Sequence, residues 1–153
     1  MREKPQAADF SVLLLHPLPV LAALLILFNA LYLRLHHPGF WSGKLSDVGI
    51  CFLLPVLLAA SWVLLAKALQ GLGLQRHFAS PTPVARTSCL VAAAYFSALN
   101  LVPGFPRLHQ TMMGFVVKNP LLPVMDWTDL FCLAFTVAAY FFIRRKLGMR
   151  TEA

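Results

Sequence analysis

Asp47, Asp126 and Asp129 are the acids of this chain suited to proton transfer or cation binding, since the other three, Glu3, Asp9 and Glu152, lie near its ends. Asn29, Lys44 and Asn100 complete the polar residues at the edges of long apolar runs. Imidazoles stand at His36, His37 and His109, and carboxylate with imidazole is a donor set for zinc or another divalent ion. The spacing argues against such a site. No HxxxH or HExxH occurs, adjacent histidines diverge on a regular backbone, and Pro38 follows them, so no metal is expected. Ser42 and Ser46 lack the GxSxG context of an acyl-transfer nucleophile, and Gly39-Phe-Trp-Ser-Gly43 lacks phosphate-loop spacing. Cys51, Cys89 and Cys132 fall one to each of three apolar runs without a CxxC or CxxCH pattern, which predicts reduced, buried thiols and no covalent haem. No cofactor follows from these residues.

Composition dictates the elements that must hold them. Of 153 residues, 59% are apolar and 12% charged, against a usual charged share of about 25%. So few charges cannot cover a water-exposed surface, and the expected solvent and partner is a lipid bilayer. The formal charge of +7 is spread between and beyond the apolar runs, a topogenic pattern that excludes nucleic acid as a partner. Residues 12–33, 47–67, 86–106 and 122–143 can each cross a core of about 30 Å as a helix. The expected fold is therefore all-α: a single transmembrane domain over residues 1–153 with four spans, the first retained rather than cleaved as a signal peptide.

Lys and Arg set the orientation. Nine lie on the side of the termini and the loop around His77, and four on the other, so both termini are expected in the cytoplasm of a bacterium, with the chain in its inner (plasma) membrane. Residues 36–43 and 103–123 then form outer loops. Helix rise places Asn29, Asn100 and Asp129 roughly 8 Å below the outer boundary, with Asp47 at the rim. Asn29 before Ser46-Asp47 and Asn100 before Thr128-Asp129 read as two repeated helical hairpins. Pro55 should kink the second helix, and the small pairs Ala93/Ser97, Ala94/Ala98 and Ala134/Ala138 are expected where the third and fourth approach.

An acid below the membrane surface ordinarily faces a partner in the bundle interior, and Lys44, Lys118 and Arg107 are the cations within reach. Ser46 and Asp126 are also good helix N-caps. The outer group Asn29, Lys44, Asp47, Asn100, Asp126 and Asp129 is thus either a structural ion-pair cluster or a ligand-binding site. The segment Pro38-Gly-Phe-Trp-Ser-Gly-Lys-Leu-Ser-Asp47-Val-Gly49, followed by an apolar run with Pro55, and the later Asp126-Trp-Thr-Asp129-Leu130 carry a likeness. They resemble a group of small uncharacterised bacterial integral membrane proteins with a PGW-x-x-GKLSD-x-x-G segment and a later D-x-T-D-L segment. Trp127 stands where that group has proline, and Asn29 lacks the group's acidic neighbour. The resemblance covers roughly a third of the chain and implies a membrane location and a shared site, without an activity. The expected function is a binding or assembly module, or a small transport-related one, with a small ligand or a membrane protein as partner. The alternative is a membrane-embedded enzyme that uses Asp and His for acid-base or metal-assisted chemistry on a lipid or periplasmic substrate.

Overall fold

A computed structural model describes residues 10–37, 39–73, 80–115, 118 and 123–148. The inner-loop assignment of His77, both chain ends and the start of the fourth span at residue 122 lie outside the described residues. Helices α1 (Phe10–Leu14), α2 (Pro17–His36), α3 (Phe40–Gly71), α4 (Pro81–Leu101), α5 (Phe105–Gly114) and α6 (Ala134–Gly148) follow in order, with no strand among the described residues. A 3-10 turn, Trp127–Leu133, leads into α6. Helices α2, α3 and α4 are long and apolar enough to cross a membrane.

Each expected span is shifted for a local reason. The first starts at Pro17 rather than residue 12, because a residue before proline is driven from the helical region, and His16 is extended at φ −72°, ψ 144°. Its Nδ1 accepts from the Leu18 amide at 3.3 Å and so caps α2. The second span begins at Phe40, so Lys44 and Asp47 ride inside a helix instead of at its mouth, and Ser46 is an interior residue rather than an N-cap. The third runs 81–101 instead of 86–106, opening on Pro81. In the fourth, residues 123–126 are non-helical and the helix extends to Gly148, carrying Arg144, Arg145 and Lys146 in its last turns.

The central helix is α3, against which α1, α2, α4 and α6 all pack. Leu13, Val56, Val63, Ala85 and Ile143 centre the larger core, and Cys51, Phe96 and Cys132 form a smaller one nearer the polar end. The three cysteines are free, and Cys51 and Cys132 are buried. On α4 the buried residues Ala85, Ser88, Ala92 and Phe96 recur at helical spacing, as do Thr136, Ala139 and Ile143 on α6. That stripe forms the seam between the two helices. Of the expected small pairs, Ala94, Ala134 and Ala138 are exposed, whereas Ala93, Ser97 and Ala98 are half-buried.

Pro55 lies inside α3 and has no amide hydrogen for the carbonyl of Cys51, four residues before it. The Thr136 hydroxyl of α6 donates to that carbonyl at 2.9 Å, so a neighbouring helix repairs the defect. Thr136→Val should therefore cost about 1–3 kcal/mol by leaving a buried acceptor unpaired, while Thr136→Ser should stay close to the parent. Thermal unfolding of both variants in one detergent checks this. Equal melting of Thr136→Val and the parent would show that the carbonyl finds another donor.

Candidate functional site

The polar end of the bundle is built from three segments. In α2 the helix widens to a π-turn over Asn29–Leu33, the Arg34 amide reaching back to the Asn29 carbonyl. One added residue per turn rotates the chain, and such turns often mark functional positions. Here it carries the fully buried Asn29 onto α3. The Asn29 amide donates to the Ser42 carbonyl and to the Ser46 hydroxyl, both at 2.5 Å, while its Oδ1 has no partner among the described residues. Ser42 in turn donates its hydroxyl to the Gly39 carbonyl at 2.8 Å, closing the first turn of α3.

The second component centres on Lys44. Its ammonium meets Asp126 at 3.0 Å and is hydrogen-bonded to both Thr128 and Asp129. These ion pairs join residues more than eighty positions apart in the chain and lock α3 to the segment that opens α6. Lys44 and Asp129 are 15% and 13% exposed at their side chains, Asp126 40%, so the Asp129 contact is the shielded one. Asp126 also caps the 3-10 turn, accepting from the Thr128 amide at 2.9 Å and its hydroxyl at 2.7 Å. It stands in front of the last helix, and the bonds from Thr128 and Lys44 hold its carboxyl at about 2.

The third component ties in α4. The Asn100 Oδ1 accepts from the Asp126 amide at 3.3 Å, and its own amide donates to the Phe96 carbonyl at 3.0 Å. Asp47 lies one turn along α3 from Lys44, beside Asp129 and in the field of Arg34.

Lys44, Asp47, Asn100, Asp126 and Asp129 are thus gathered into one group, whereas Asn29 joins α2 to Ser42 and Ser46 alone. Of the three cations offered by the sequence, Lys44 supplies the ion pairs to these acids among the described residues, and Lys118 is exposed. The histidines do not converge. His36 stacks on Tyr32 at 4.6 Å, and His109 is hydrogen-bonded to the Tyr95 hydroxyl. No cluster suited to a metal ion occurs among the described residues.

The sequence places Thr128 at the opening of the last helix but not in the polar group, where it bonds to Lys44. Nor does it give Ser42 as the acceptor for Asn29, because the expected loop there is helical. A third omission is a cavity of about 510 Å³ between α2 and the start of α3, with Leu33, Trp41, Leu45 and Val48 as apolar wall and His37, Ser42 and Lys44 as polar rim. Its size is that of an ordinary ligand pocket. Comparison of the chain with models of protein families, with curated proteins and with solved structures finds no match.

Proposed function

We propose that this chain is a four-crossing protein of the bacterial inner membrane, both termini cytoplasmic, that serves as a binding or assembly module, in the manner of a small transport-related subunit. Its ligand is an amphiphile held in the outer cavity beside Lys44. The observation that carries this reading is the union of a saturated polar knot with an open apolar cavity on one lysine. The knot supplies rigidity, since Lys44 is already matched by carboxylates, and the cavity supplies room. A fourth crossing is supported by length, because the 3-10 turn and α6 together extend about 36 Å. Phe135, Val137 and Phe141 are exposed along that helix, as lipid-facing residues would be. The repeated hairpins gain support from Asn29 and Asn100, each of which ties one helix to the opening segment of the next.

Acid-base catalysis is the second reading, favoured by the nearness of Asp47 to Asp129. Neither carboxyl is part of the cavity wall, which holds Lys44 and His37 instead. Binding is therefore preferred.

A dansyl-labelled lysophospholipid tests the preferred reading. Trp41 stands at the lip of the cavity, 82% exposed, and should transfer excitation energy to the bound probe in a saturable way. Leu45→Trp narrows the cavity and should abolish saturation by unlabelled competitor while the protein remains folded. Saturable binding that survives Leu45→Trp unchanged would place the ligand elsewhere.

A further inference from the structure

The geometry points to α5 as an interfacial helix that seats Leu108, Met112 and Phe115 in the outer leaflet of the bilayer, with the phospholipids of that leaflet as its partner. This rests on the membrane residence proposed above. With ten residues, α5 reaches about 15 Å and cannot cross. At about 100° per residue, Leu108, Met112 and Phe115 fall within a sector of about 60°, beside a second apolar sector of Phe105, Pro106 and Met113. Arg107, Gln110 and Gly114 occupy the opposite side, with Thr111 at the edge of the stripe.

The two apolar sectors have different neighbours. Pro106 is buried and Phe105 and Met113 half-buried, and the ring of Phe105 meets Tyr95 of α4 edge-on at 5.7 Å. The Tyr95 hydroxyl is hydrogen-bonded to His109 Nδ1. Leu108, Met112 and Phe115 are instead 53%, 52% and 88% exposed. Tyr95 lies six residues before the end of α4, roughly 9 Å below it by helix rise. The hydrogen bond to His109 therefore draws α5 down beside the last turns of a crossing helix, to the depth of about 5–10 Å at which interfacial helices sit. Arg107 and Lys118 are both exposed and flank the stripe, matching lipid phosphates in charge.

Photo-crosslinking of the full-length protein in nanodiscs of phosphatidylethanolamine and phosphatidylglycerol tests the placement. p-Benzoylphenylalanine is put singly at Leu108, Met112, Phe115, Gly114 and Leu24, Gly114 being exposed on the opposite side of α5 and Leu24 an exposed residue of α2. After irradiation, intact mass should show one phospholipid added at Leu108, Met112 and Phe115 to the extent seen at Leu24, and several-fold less at Gly114. Capture at Leu24 with none at the three stripe positions overturns the inference. So does equal capture at Gly114, or a crosslinked dimer from the stripe, which would make it a protein interface. Failure at Leu24 itself would refute membrane residence, and the interfacial helix would fall with it.

Discussion

Lys44→Met should be the most damaging single substitution at the polar end, costing a part of the about 3–5 kcal/mol lost when a fully buried charge is stranded. Lys44 and Asp129 are half-buried, 15% and 13% exposed at their side chains, so water screens the pair only in part. Without the ammonium, Asp129 would stand beside Asp47 with no other ion pair among the described residues. The more exposed Asp126 adds little to the loss, because a carboxylate in reach of solvent is rehydrated. Asp129→Leu should be milder, since Lys44 keeps Asp126 at 3.0 Å. The double variant Lys44→Met with Asp129→Leu should be less destabilised than the sum of the two singles, as no stranded partner remains. Thermal unfolding of the three variants in lipid nanodiscs gives the order. Parent-like melting of Lys44→Met would remove the knot from any account of stability.

Gly49→Val should cost about 1–3 kcal/mol through overpacking and should separate α2 from α3. A Cβ at Gly49 would lie 2.6 Å from Cγ1 and 3.1 Å from Cδ1 of Ile26, and 3.3 Å from the Ala22 carbonyl oxygen. The isoleucine can rotate, but the backbone of α2 cannot give way without moving the helix. Ser42, Ser46 and Gly49 recur at helical spacing and are all buried, which lets two helices approach closely in a solvent where burial of apolar surface adds nothing. Displacing α2 there would also break the bonds from Asn29. Gly49→Ala should be milder, because the better helix propensity of alanine, worth about 1 kcal/mol, offsets part of the clash. Adding Ile26→Ala to Gly49→Val should restore much of the loss by making room. If unfolding shows no such rescue, the contact with Ile26 is not the source of the damage.

Helix rise and the positions of the charges put Asn29, Asn100 and Asp129 at one level with Asp47 at the rim; in the structure Asn100 meets Asp126 and Lys44 meets Asp126 and Asp129, while Asn29 bonds to Ser42 and Ser46 instead. The capping role of Asp126 was visible from residue type and spacing, and the structure shows it. Ser46 is not a cap because the helix starts at Phe40, well before the Ser46-Asp47 pair that resembles an opening. Alanine recurs on several faces of α4 and α6, and only rotation about the helix axis decides which face is shared: it exposes Ala94, Ala134 and Ala138 and leaves Ala93, Ser97 and Ala98 half-buried.

By itself the sequence determined that the chain is helical and suited to a bilayer, since a chain 12% charged cannot cover itself against water and spanning helices must satisfy their own backbone. It also determined that few polar groups are available and that these gather at one end. Tertiary structure alone decided which of them meet. Lys44 reaches Asp129 across more than eighty residues, Thr136 finds the carbonyl that Pro55 leaves unpaired, and the π-turn at Asn29 aims its amide at Ser42 and Ser46. Each depends on the relative rotation of two helices, a quantity set by packing over their whole length, whereas a residue's own neighbours in the chain fix only its height along one helix.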